Sequence, residues 1–267
     1  MAYDVESVTI SLAAPIASGA TADIHDWRDG QVLKLYRDGI PRRVGTREAR
    51  ITSALHAAGA RVPAVGELIE VNRRIGLPME KLIGQPLSSR LIDTESGASA
   101  GRVAAQLHAA MHALTEPSLP PMREQFGKIV EAGPLTSELK VRVLTAMRAL
   151  PDGDRICHGD FHAANIIVTR DGPVALDCVV AHRGNPCADV AQTCVAMTEW
   201  LYGELSERSQ RAVESFLAAY EASYFELCPS ATDEVAAWRP IVAAVRYSLP
   251  HARTSSDLLL RMAGSCA

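Results

Sequence analysis

Residues 157–177 read CHGDFHAANIIVTRDGPVALD. Two β-like runs, Ile166–Thr169 and Val174–Leu176, flank Arg170-Asp171-Gly172-Pro173, a turn signal between strands that predicts a hairpin. A turn centred on Asp171 pairs residue n with residue 342 − n and sets Asn165 opposite Asp177; a two-residue Asp171-Gly172 turn moves that register by one. Either way, two oxygen-bearing side chains meet at the open end of the hairpin. Such a pair suits a hard cation such as Mg²⁺, which takes carboxylate and carbonyl oxygens together with water and phosphate. Asp160 lies just before the hairpin, in a loop, free to approach a substrate hydroxyl.

Upstream, residues 1–80 read as short strands: Val8–Leu12, Asp23–Trp27, a turn at Arg28-Asp29-Gly30, and Gln31–Tyr36, then a second pair near Val65–Val71 and Ile75–Met79. Between the pairs, Thr46–Ala58 predicts one helix, with Thr46 as N-cap and Gly59 as its stop. Lys34 sits inside the strand QVLKLY. Fourteen residues later Glu48 begins the stripe Glu48, Ile51, Leu55, Ala58. An acid on the apolar face of a helix is costly to bury unless paired, and Lys34 is its natural partner. Beyond Leu82 the pattern turns helical. Val103, Leu107, Ala110, Met111 and Leu114 form one stripe, Pro117–Pro121 breaks the chain, and Asn185-Pro186 caps a helix that carries Val190, Cys194, Met197 and Leu201. Helices are also expected over 207–225 and 233–248.

The order His158-x-Asp160, then Asn165, then Asp177 on the next strand is the protein-kinase catalytic arrangement. With HGDFHAANII and ALDCVVAHRGNPCADVA, the chain resembles the aminoglycoside phosphotransferase and choline-kinase-like small-molecule kinases of the protein-kinase-like fold. The resemblance implies an α+β, bilobal protein: a small antiparallel β-sheet lobe with one helix over 1–82, and a larger, mainly helical lobe over 83–267. It implies Asp160 as catalytic base or hydroxyl-orienting residue, Asn165 and Asp177 as Mg²⁺ ligands, and Asp189 as a buried residue bracing the following helix. It places Ser18-Gly19-Ala20-Thr21 over the nucleotide phosphates, Lys34 and Glu48 at the α- and β-phosphates, and Met79-Glu80-Lys81-Leu82 at the nucleotide base. Where the family usually has a bulky aromatic after the metal Asp, this chain has Cys178.

Composition agrees with a soluble enzyme and excludes several other classes. The 267 residues are 48% hydrophobic and 22% charged, the balance of a chain with a core. Apolar runs are too short to span a bilayer, and residues 1–15 carry two acids and no basic cluster, so neither a membrane span nor a secretory signal is expected. A net charge of −4 gives no field for nucleic acid. Six cysteines without CxxC spacing suggest reduced thiols in the cytoplasm. Cys157, His158, Asp160 and His162 lack the second ligand pair of a closed zinc site. His108 and His112 are four apart without the Glu of HExxH, and read as polar-face or packing histidines. No G-x-S-x-G is present for an α/β-hydrolase.

The reading is therefore a kinase that moves the γ-phosphoryl of ATP or GTP, with Mg²⁺, to a hydroxyl of a small molecule, as a monomer or homodimer. An antibiotic-like acceptor of the resistance or self-protection type is expected. The alternatives are a metabolite kinase of choline, thiamine, homoserine or sugar type, and a non-catalytic pseudokinase. Only eight residues separate Asp177 from Pro186, little room for a segment on which a protein substrate docks. Glu199, Trp200, Tyr202, Tyr224 and Trp238 are the candidate acceptor contacts, with Glu204 and Tyr247 further possibilities.

Overall fold

A computed structural model of the protein describes residues 7–8, 12–28, 30–201, 203, 205–249 and 256–266. The strands β1 (Ser7–Val8), β2 (Ala17–Ser18), β3 (Ala22–Asp26), β4 (Gln31–Tyr36), β5 (Ile69–Val71) and β6 (Arg74–Glu80) form one sheet in the order β1-β5-β6-β4-β3-β2. Its neighbours pair antiparallel except β1, which runs parallel to β5. Of the strand expected over 8–12, Val8 lies in β1, Leu12 is in no strand, and 9–11 lie outside the described residues. Side chains alternate along β4. Leu33 and Leu35 pack with Ile69 and Val71, while Lys34 and Tyr36 reach across to α1 (Arg42–Ala57) on the other face.

Helix α1 begins a turn earlier than Thr46. Its N-cap is Pro41, whose extended backbone (ψ 139°) needs no side-chain cap to start the helix. Thr46 lies inside and donates its hydroxyl back to Arg42 O at 3.2 Å, the usual fate of an interior threonine. Gly59 ends the helix as expected.

The rest of the chain is mainly helical. β7 (Gly84–Pro86) leads to α2 (Thr94–His112), α3 (Met122–Ala132) and α4 (Ser137–Ala149). β8 (Arg155–Cys157), the hairpin β9 (Ile166–Thr169) and β10 (Gly172–Ala175), and β11 (His182–Gly184) follow, then α5 (Pro186–Leu201), α6 (Glu207–Leu227), α7 (Thr232–Tyr247) and α8 (Ser256–Gly264). β7 adds to the hairpin in the order β10-β9-β7, and β11 pairs with β8. Asp93 starts α2 with a capping box closed by Ser96, and Asn185 caps α5 by accepting from Cys187 N at 2.8 Å. Helices α2 and α6 touch backbone to backbone. A Cβ on Gly97 would lie 2.2 Å from Ala212 O, and one on Gly101 2.3 Å from Phe216 O, so only glycine allows this contact. Phe161, Met111, Phe216, Tyr220 and Trp238 share the core these helices enclose.

The hairpin register differs from both sequence alternatives. Thr169 pairs with Gly172 and Ile166 with Ala175, so the two-residue turn is Arg170-Asp171. The Thr169 hydroxyl tightens it, accepting from Asp171 N (3.2 Å) and donating to Gly172 O (2.9 Å). Asn165 therefore faces Leu176, whose N–H reaches Asn165 O at 2.8 Å. Asp177 lies two residues beyond the last ladder pair at Ala175, with a left-handed backbone, φ 59°, a conformation uncommon outside glycine and frequent at functional sites.

Candidate active site

Lys34 is the junction of three segments. Its Nζ donates to Glu48 Oε1 on α1 at 2.7 Å and to Asp177 Oδ1 at 3.2 Å, joining residues 143 positions apart. Burial pushes the ammonium pKa down, but the Glu48 and Asp177 carboxylates outweigh it and hold it above its ordinary value. Glu48, with 2% of its side chain exposed, has both oxygens engaged: Tyr36 O–H donates to Oε2 at 2.6 Å. Tyr36 is two residues from Lys34 on the same strand face, a neighbour that period-two alternation alone would have indicated. Arg47 ties α1 to the turn after Asp177 by donating to Val179 O at 2.9 Å. Cys178, in the place of the expected aromatic, is buried with its sulfur 3.8 Å from His158 Nε2.

Asp160 sits on the loop between β8 and β9 with 38% of its side chain exposed. His162 Nε2 is 3.5 Å from Oδ2, and Arg246 Nη1, from the last turn of α7, is 3.8 Å from Oδ1. Burial raises the carboxyl pKa, but the His162 hydrogen bond and charge, then the Arg246 and His158 charges, override it and bring it to about 2. Asp160 is therefore an ionised acceptor of hydrogen bonds at neutral pH. Asn165 donates Nδ2 to Asp160 O at 3.0 Å, so its amide oxygen is the atom that would meet a cation. With the half-exposed Asp177 carboxylate, this all-oxygen donor set fits a hard divalent cation.

Beneath the loop lies a buried polar network. Asp189, in the first turn of α5, accepts from His158 N (2.5 Å) and Gly159 N (2.9 Å), so its carboxylate holds the loop between β8 and β9 against α5. It also accepts from His108 Nε2 (2.9 Å) and His112 Nε2 (3.3 Å), and the Tyr220 and Tyr224 hydroxyls donate to the two Nδ1 atoms at 2.7 Å each. His108 and His112 are thus interior residues of α2 rather than a polar face. Burial pushes His108 down to about 3, aided by the His112 charge, although Asp189 opposes the shift. The same burial would raise Asp189, but its histidine partners hold it well below the usual carboxylate range. His108, His112 and Asp189 lie close enough to ligate a metal, but hydrogen bonds between them already use the nitrogens and oxygens concerned.

The profile of the phosphotransferase enzyme family matches residues 13–238. The chain belongs to that family. It is a nucleoside-triphosphate-dependent phosphotransferase that acts on a hydroxyl of a small molecule. Solved structures show the same fold. The aminoglycoside-3'-phosphotransferase of type VIII is 22% identical, covers 88% of this chain and 92% of its own, and superposes with a TM-score of 0.60. A thermostable mutant of aminoglycoside phosphotransferase APH(4)-Ia is 15% identical over 96% of this chain and 92% of its own, with a TM-score of 0.64. A choline/ethanolamine kinase family protein from Mesorhizobium loti is 14% identical over 91% and 84%, with a TM-score of 0.58. Among curated protein sequences none matches the chain.

In the phosphotransferase, Ser18-Gly19-Ala20-Thr21 form the exposed tip between β2 and β3, closed by Gly19 N to Ala22 O at 2.9 Å. Met79 and Glu80 end β6. The Glu80 and Lys81 N–H groups are engaged by Ala64 O and Gly30 O, so a base contact by this segment has to use other main-chain atoms. A cleft of about 410 Å³ opens beside it, lined by Glu80, Leu82, Ile83, Thr169 and Val174 among others. The proposed acceptor residues divide. Glu199 accepts from Arg246 Nε, and the Trp200 ring lies 5.6 Å from that of His162, so both stand near Asp160. Tyr224 (1% exposed) and Trp238 (0%) are core residues, Tyr224 holding His112, and neither presents a surface to an acceptor. Their aromatic character was the signal for acceptor contacts, but core packing uses the same residue types. Tyr202 and Glu204 lie outside the described residues. Sequence reasoning passed over Arg246, which has no motif around it.

Proposed function

We propose that this phosphotransferase moves the γ-phosphoryl of ATP or GTP to a hydroxyl of an antibiotic-like small molecule, with Mg²⁺ held by Asn165 and Asp177. The observation that carries the reading is Lys34 bridging Glu48 and Asp177, with the ionised Asp160 on the adjacent loop. In this reading Lys34, steadied by Glu48, holds the α- and β-phosphates, and the tip at Ser18–Thr21 covers them. Main-chain atoms of the Met79–Leu82 segment take the base. Bound Mg²⁺ would neutralise charge on the β- and γ-phosphates. Asp160 accepts the hydrogen bond of the acceptor hydroxyl and orients its oxygen toward the γ-phosphorus. A new P–O bond forms to that oxygen, the bond to the β-phosphate oxygen breaks, ADP or GDP leaves, and the hydroxyl proton passes to Asp160 or solvent. Such catalysis is positioning and electrostatics. The six cysteines, all free thiols, favour a reducing, cytoplasmic setting.

The coupled release of ADP or GDP in the presence of Mg²⁺ and a panel of aminoglycosides, macrolides, nucleoside antibiotics and metabolites tests this, with Asp160→Ala as control. Acceptor-dependent release that the substitution abolishes supports the reading. Full turnover by Asp160→Ala overturns the role of Asp160, and release with metabolites such as choline alone favours the metabolite-kinase alternative.

A further inference from the structure

Arg246 reaches Asp160 from α7, a helix outside the catalytic motif. Its Nε donates to Glu199 at the end of α5, which fixes one edge of the guanidinium. Its Nη1 stands 3.8 Å from Asp160 Oδ1, too far for a hydrogen bond and near enough for charge to act. Among the described residues no hydrogen bond engages the Nη groups, so a rigid fork of N–H donors faces the carboxylate that orients the acceptor. On the opposite side, His162 and Asn165 approach Oδ2 at 3.5 and 3.4 Å, leaving Oδ1, the oxygen beside Arg246, for the incoming hydroxyl. Whatever binds there comes within reach of the guanidinium. Glu199, the carboxylate of the candidate acceptor face, is turned toward Arg246 and does not stand as a lone anion for an amine.

Building on the phosphotransferase reading, we propose that Arg246 is the specificity residue of the acceptor site. Its Nη donors bind an oxygen substituent next to the phosphorylated hydroxyl, so the enzyme takes neutral or anionic, oxygen-rich alcohols and rejects polyamines. Glu199 positions the guanidinium. Rejection comes from short-range like-charge repulsion at the Nη edge, which the Glu199 partner on the Nε side and the Asp160 carboxylate reduce without cancelling.

The test uses the full chain loaded with ADP and Mg²⁺ and kanamycin as the polycationic probe, titrated by calorimetry into wild type, Arg246→Lys, Arg246→Met and Arg246→Glu. Wild type and Arg246→Lys are expected to bind kanamycin weakly. Binding should tighten about tenfold in Arg246→Met and further in Arg246→Glu, as the repulsive charge is removed and then reversed. Tight wild-type binding, or no gain in either Arg246→Met or Arg246→Glu, overturns the inference. Arg246→Met guards against a fold defect from three clustered acids in Arg246→Glu, and the melting transition of each variant confirms folding. Loss of Mg²⁺-dependent ADP binding in wild type would instead refute the nucleotide reading, so the two failures are distinguishable.

Discussion

His108→Gln isolates one proton in the buried network under the catalytic loop. Glutamine keeps an N–H donor for Asp189 and an oxygen for the Tyr220 hydroxyl, the two bonds His108 makes at 2.9 and 2.7 Å. What it removes is the titration. His108 is fully buried and its pKa is pushed from 6.5 to about 3. A histidine with a depressed native pKa stays neutral in the fold while the unfolded chain takes up a proton below about 6.5, so acid favours unfolding. Stability is lost as pH falls from about 6.5 toward the native value. From pH 7 to pH 5 this one site removes about 2 kcal/mol from wild type, because each pH unit below about 6.5 costs roughly 1.36 kcal/mol. Asp189 does not confuse the window, because a carboxyl held below its ordinary value loses stability only at more acid pH. His158 and His182, also pushed down by burial, titrate alike in both proteins and cancel in the comparison. Urea unfolding of wild type and His108→Gln at pH 7 and pH 5 measures the difference. The variant should be less stable at pH 7 by roughly 1–3 kcal/mol, from imperfect hydrogen-bond geometry, and that gap should close by about 2 kcal/mol at pH 5. A gap of equal size at both pH values would refute the assignment of His108 as a buried neutral imidazole.

Tyr36→Phe leaves the ring and strips one donor from the buried Glu48 carboxylate, which should lower stability by about 1.5–3 kcal/mol and raise the KM for ATP more than it alters kcat; calorimetric melting and initial rates check this, and an unchanged KM would deny Tyr36 a positioning role. Asp160→Asn should reduce kcat by about 100-fold or more while nucleotide affinity persists, read by initial rates and by direct nucleotide titration. In Asp177→Asn, nucleotide binding should lose its dependence on Mg²⁺, and a titration with and without the ion decides it. Gly97→Val would drive a side chain into the backbone of α6, where Ala212 O already lies 2.2 Å from the position of a Cβ; a loss of about 1–3 kcal/mol or more is expected from overpacking, with an unaltered melting temperature counting against the close α2–α6 contact.

Much of the site was legible because its chemistry is local in sequence. Asp160 and Asn165 lie five residues apart and meet through Asn165 Nδ2, and Asp177 follows at the end of a short hairpin, so spacing alone marks all three as candidates. Lys34 and Glu48 were legible for another reason: an acid on an apolar helix stripe demands a cation, and the sequence has only four lysines. The hairpin register was not legible, because the Thr169 hydroxyl closes the turn one residue earlier than Asp171 and Gly172 suggest. Asp177 then depends on its left-handed backbone, and no ladder partner sets its place.

Residues 157–177 by themselves pointed to phosphoryl transfer, and the family match over residues 13–238 agrees with that chemistry and with the fold. Short-range patterns and residue type suffice to pick out a carboxylate loop, two candidate oxygen ligands and a strand lysine with its acid. Tertiary packing alone decided the rest. It turned His108 and His112 inward to Asp189, placed Tyr224 and Trp238 in the core, and carried Arg246 to Asp160 across 86 residues of chain. The physical reason is that an aromatic, a histidine or an arginine on an amphipathic helix has no fixed role until neighbouring helices settle which of its faces is buried.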